Sequence, residues 1–70
     1  MANPTAYRKE LREKILKTAM AEFMQRGLKA VKMDDIAKKM VMSKRTLYEI
    51  FADKEELLYE CVKYGSEEEL

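Results

Sequence analysis

The stretch that most constrains this chain is residues 34–51, DDIAKKMVMSKRTLYEIF, where two apolar stripes flank a break with room only for a turn. Ile36, Ala37 and Met40 fall at i, i+1 and i+4 and predict one face of a helix; Leu47, Ile50 and Phe51 repeat that spacing and predict a second. Val41 and Met42 lead into Ser43, whose hydroxyl suits an N-cap because it can accept a backbone N–H of the turn that follows. That first turn carries Lys44, Arg45 and Thr46. Cations at a helix start oppose the positive end of the macrodipole, so something negative is expected opposite them. A helix-turn-helix supplies a reason, since its second helix enters the DNA major groove N-terminus first. The plainer reading is that Lys44 and Arg45 are solvated surface charge.

Seventy residues allow one small domain. At that size the gain from burial only narrowly exceeds the entropy lost, so a disulfide or metal often helps. Neither is indicated here. Cys61 stands alone and there is no His, which removes the usual zinc partners and points to a reduced, cytoplasmic setting. Cys61 follows Leu57 by four residues on one helical face and reads as core. The N-terminus has no apolar signal segment, and no run approaches the length that spans a bilayer. The net charge of +1 conceals a division. Residues 1–54 carry 13 Lys or Arg against 7 Asp or Glu, a balance of +6, whereas residues 55–70 carry 1 against 6, a balance of −5. The basic part coincides with the two-helix stretch, so a polyanion is attracted there and the acidic end points away.

The segments IAKKM, VMSKRTLYEIF and ADKEELL, with REKILKTAMAEFMQRGLKAVKM before them, resemble the TetR-type bacterial transcriptional regulators over residues 12–64. The resemblance implies an all-α fold: three short helices containing a homeodomain-like helix-turn-helix, plus the start of a fourth. It also implies sequence-specific binding of double-stranded DNA as a transcriptional regulator, a repressor, with no cofactor, no metal and no membrane association. Residues 1–7 are expected to be a flexible arm, 8–64 the DNA-binding domain and 65–70 a frayed acidic tail. The regulators it resembles are longer, with a ligand-binding part and a homodimer interface. The chain is therefore expected to be the DNA-binding domain alone, monomeric or weakly self-associating, with Leu58, Val62 or Tyr64 uncovered.

Residue roles carry across one at a time. Lys44 and Arg45 resemble groove-facing, base-contacting positions. Arg45 has the fork to bond a guanine edge in two places. Glu49 either accepts from a cytosine amino group or orients Arg45 as an i, i+4 pair, the favoured reading. Lys32, Met33, Ser43, Thr46, Tyr48 and Lys54 are the expected phosphate contacts, which fix register without reading sequence. Tyr48 also reads as a half-buried core edge. Arg8, Lys9 and Arg12 are either further phosphate contacts or a solvated basic helix start.

Two departures from the resembled pattern stand out. Lys32 replaces a Thr or Ser whose hydroxyl would cap the second helix. Val41 replaces a turn Gly, so either the turn avoids positive φ or the module gives up stability. Elsewhere, Leu11, Ile15, Ala19 and Phe23 recur every four residues, widened by Leu16 and Met20, and predict a helix over residues 8–26 stopped by Gly27. Leu28 and Val31 are expected to tuck under the connection. Asp53 followed by Glu56 resembles a capping box opening a helix over residues 54–64, ended by Gly65. The competing function is a protein-interaction module built on Met20, Met24, Met33, Met40 and Met42, although most of these share stripes with core positions. No nucleophile–base constellation or phosphate loop suggests an enzyme.

Overall fold

The computed structural model describes residues 4–68, with side-chain surroundings for residues 7–65. Over the described residues the chain forms four helices and no strand: α1 (Pro4–Arg26), α2 (Met33–Met40), α3 (Lys44–Ile50) and α4 (Lys54–Glu68). This is the all-α helix-turn-helix fold that the resemblance implies, with its helices where the apolar periodicity predicts them.

Helix α1 starts at Pro4, four residues before the expected position. Proline has its φ fixed near the helical value and no N–H to leave unpaired, so it suits a first helical position. Residues 4–7, expected as arm, are helical; residues 1–3 lie outside the described residues. On α1, Ile15, Leu16, Ala19 and Phe23 are all buried. Gly27, at φ 89°, ends the helix, and its N–H donates to Phe23 O at 2.9 Å. This left-handed stop is one that glycine accepts without a Cβ clash. In the connection that follows, Val31 is fully buried but Leu28 is half exposed, contrary to the expectation that both tuck in. The turn directs the Leu28 carbonyl, rather than its side chain, toward Lys54 of α4.

Helix α2 lays Met33, Ile36 and Ala37 on α1. Charges seal the edge of that contact: the buried Glu22 carboxylate meets Arg26 at 3.3 Å and Lys39 at 3.8 Å, and Arg26 reaches Asp35 at 3.6 Å. The helix ends on Val41, which takes φ 55°, ψ 50°. Met42 N–H donates to Ala37 O at 2.9 Å and Val41 N–H to Lys38 O at 3.1 Å, the paired bonds of a Schellman stop. The turn therefore keeps the conformation a glycine would provide, with a β-branched residue in it.

Helix α3 has only seven residues, too few to be stable in water alone. Leu47 and Phe51, both fully buried, fasten it to the core. Helix α4 opens as the sequence predicts: Asp53 Oδ1 accepts from Glu56 N–H at 2.8 Å, while the Glu56 carboxylate accepts from Ala52 N–H at 2.9 Å. Leu57 and Cys61 face α1. Gly65 does not stop the helix, which continues to Glu68. A Cβ on Gly65 would lie 3.2 Å from Met20 Cε, so the missing side chain serves a close approach of α4 to α1. Of the expected tail, residues 65–68 are helical and residues 69–70 lie outside the described residues.

The methionines mostly fill the interior. Met33 is buried, and Met20, Met40 and Met42 pack against the core. Met24 alone of the five proposed for a binding surface stands out into solvent, 85% exposed. Four of those five side chains are thus engaged, which weakens the interaction-module reading.

Candidate nucleic-acid interface

The start of α3 is built by Ser43. Its Oγ accepts from Thr46 N–H at 3.1 Å and lies 2.9 Å from Thr46 Oγ1, so backbone and hydroxyl of one residue close the first turn. With Ser43 holding that end and Leu47 and Phe51 holding the inner face, Lys44, Arg45, Tyr48 and Glu49 are left exposed on the outer face. Lys44, Arg45 and Glu49, expected to face the groove, and Tyr48, expected to meet a phosphate, are thus all solvent-facing.

Their electrostatic surroundings differ. Lys44 Nζ lies 2.8 Å from Asp34 Oδ1, a salt bridge from the opening turn of α2 to the opening turn of α3. That hydrogen bond holds the Asp34 carboxyl below the usual carboxylate range, helped by Lys38 and Lys32, and raises the Lys44 ammonium above its ordinary value. Both shifts favour the charged forms. The pair persists through neutral pH, and comes apart as falling pH protonates Asp34. Arg45 has no ionic partner among the described residues. In particular, the Glu49–Arg45 pair favoured by the i, i+4 spacing does not form. Glu49 instead lines a cleft between α1 and α3 with Arg8, Lys9, Arg12 and Ile50. A short α3 anchored beside a long α1 brings that carboxylate to α1's cations.

At the start of α2, Lys32 is extended at φ −117°, ψ 163° and exposed. Its side chain has no acceptor, so the forward half of a capping box is missing. The return half is present: Asp35 Oδ2 accepts from Lys32 N–H at 2.9 Å. The Met33 side chain is core, so what Met33 presents at this surface is the first backbone N–H of α2.

The expected phosphate contact Lys54, and Arg12, for which a phosphate contact and a solvated helix start were both open, are each engaged within the fold. The Lys54 ammonium donates to the Leu28 carbonyl and lies 6.0 Å from the centroid of the Phe23 ring. Arg12 pairs with Glu60 and stacks over Phe51 at 5.5 Å. Both cations fasten α4 to its neighbours, using partners distant in sequence that no local pattern identifies. Arg8 and Lys9 remain exposed at the cleft next to α3. The residue missed as a functional candidate is Asp34. Its nearness to Lys44 across the turn is what the sequence alone does not reveal.

A capped, exposed second helix pinned by two buried residues after a tight turn defines a helix-turn-helix DNA-binding protein. The family model for bacterial regulatory proteins of the tetR family matches residues 15–61, from the middle of α1 into α4. The chain belongs to that family of helix-turn-helix transcription regulators. No curated protein and no solved structure matches it. Among the described residues no helix is long and apolar enough to cross a membrane.

Proposed function

We propose that this regulator acts as a repressor, inserting α3 into the major groove of a palindromic operator as one of two copies. Arg45 and Lys44 are the base readers, Arg45 as a two-pronged donor to a guanine edge and Lys44 as a point charge for a base or phosphate acceptor. Lys32, the Met33 backbone N–H, Ser43, Thr46 and Tyr48 carry the phosphate contacts that fix register, joined by Arg8 and Lys9 from α1. Glu49 serves as a base acceptor or a brake on the α1 cations. Lys54 contacts a phosphate only through an exchange with its Leu28 carbonyl partner. Two copies placed about one DNA turn apart (roughly 34 Å) read both half-sites.

The observation that carries this reading is the division of α3: Leu47 is fully buried while Lys44, Arg45 and Tyr48 stand exposed. It is tested by amide chemical-shift titration with a generic 20-base-pair duplex at two salt concentrations. Shifts at residues 32–33 and 43–49 that fade as salt rises are expected, because phosphate contacts release counterions. Shifts confined to Met24, Tyr59 and Val62 would instead point to a protein partner.

A further inference from the structure

We infer that Asp34 is an internal competitor of DNA that restrains duplex affinity by occupying Lys44, an inference that rests on the DNA-binding reading above. The geometry is a carboxylate 2.8 Å from the ammonium of a proposed base reader, bridging α2 and α3 at the surface where DNA would approach. Both side chains remain at least half exposed, 61% for Lys44 and 50% for Asp34, so the pair opens to solvent and to an incoming anion rather than being sealed in the core. Asp34 also sits in the field of Lys32 and Lys38 as well as Lys44. No other ion pair among the described residues engages an exposed cation of α3's first turn: Arg45, the next residue, is unpaired.

The consequence is a competition. Lys44 reaches a phosphate or base only by leaving Asp34, so the free energy of the pair is subtracted from every complex that uses Lys44. Asp34 itself repels any phosphate that comes close. An exposed pair of this kind restrains affinity by a factor of up to about five. Removing the carboxylate also frees one cation for counterion release, which steepens the salt dependence by up to about 0.9 in log–log slope.

The test is a double-mutant cycle on binding of a fluorescent 20-base-pair generic duplex, measured from low to moderate salt. Asp34→Asn is expected to tighten binding by about 1.5-fold to fivefold and to steepen the salt slope. Asp34→Ser, which suits a helix start without the charge, is expected to do the same, and thermal melts of both variants confirm folding. In a Lys44→Ala background most of that gain disappears. An equal gain in that background overturns the inference, since Asp34 would then act on DNA directly and not through Lys44. Unchanged affinity in folded Asp34→Asn and Asp34→Ser also overturns it, while leaving the DNA-binding reading intact. Failure of the unsubstituted chain to bind duplex at low salt removes that reading, and this inference with it.

Discussion

The two halves of the molecule differ in how they are held. Helices α1 and α4 pack along each other, with Ile15, Leu16, Ala19, Leu57 and Cys61 in the shared interior and the Arg12–Glu60 pair at the edge. Helices α2 and α3 have only eight and seven residues, α2 resting on α1 and α3 on α2. Each is helical because a few buried side chains fix it to that interior, and α3 depends on Leu47 and Phe51. All four helices share one core, but the long pair forms most of its length while the short pair presents the exposed charged surface. Of the exposed cations of α3, Arg45 therefore remains free to meet a ligand, and among the described residues Lys44 is held only by its exposed pair with Asp34.

The sharpest way to break this comparison is to cut one anchor in each half. Leu16→Ala in α1 and Leu47→Ala in α3 each remove a fully buried leucine and are expected to cost about 3–5 kcal/mol, read from urea midpoints. For a domain this small such a loss approaches the whole stability. If Leu47→Ala cost much less than Leu16→Ala, α3 would be a detachable element and not part of one cooperative core. The complementary cut is on the surface. Lys44→Ala with Arg45→Ala is expected to weaken duplex binding by about tenfold or more at low salt while leaving the thermal melt nearly unchanged. A large drop in melting temperature would show that these charges are structural after all.

How much of this was legible in the sequence follows the same division. Helix positions and core stripes were legible, because Ile15, Phe23, Ile36, Leu47 and Leu57 recur at helical spacing and Ser43 and Asp53 are local capping signals. The early start of α1 was legible in principle from Pro4 at a helix entry, but the absence of an apolar stripe before Leu11 concealed it. What local pattern could not show was where the long cations go. Arg12 finds Glu60 48 positions away and Lys54 finds the Leu28 carbonyl 26 positions away, contacts created only by tertiary packing. The Asp34–Lys44 bridge is hidden for the same reason, since it depends on the angle between α2 and α3. The chain passes from α2 to α3 through Val41 in the left-handed region, a conformation that the sequence left open.

Val41 and Gly27 allow a finer comparison, because both end a helix in the left-handed region. At Gly27 the conformation costs nothing, and a Cβ there would meet no atom within 4 Å. Gly27→Ala is therefore expected to destabilise by about 1 kcal/mol through backbone strain alone. At Val41 the strain is already present, and the side chain, 90% exposed, gives little packing in return. Val41→Gly relieves about 1–2 kcal/mol of strain and loses part of that to the greater freedom of the unfolded chain. The net expectation is a gain of about 0.5–1 kcal/mol, measured by thermal and urea unfolding. A loss on Val41→Gly would mean that the valine's stiffness in the unfolded chain outweighs its strain in the turn.

The smallest effect belongs to the long-helix half, at Cys61. Burial, with a lesser contribution from Glu60, pushes its thiol up to about 11, and its Sγ–H points to Leu16 O at 3.7 Å. Because the folded form holds the proton more tightly than the unfolded chain, the thiol's stabilisation is complete below the unfolded value near 9 and is lost as pH rises toward 11. Two outcomes follow. At pH 8 an aromatic disulfide reagent is expected to label folded Cys61 far more slowly than the same chain in urea, since the thiolate is scarce and the site is closed. Between pH 8 and pH 10 the melting temperature is expected to fall slightly more than that of Cys61→Ala, whose own baseline is lower because of the small cavity it leaves. Rapid labelling at pH 8 would show that α4 opens from α1 on its own, and the stable half would then be the more mobile one.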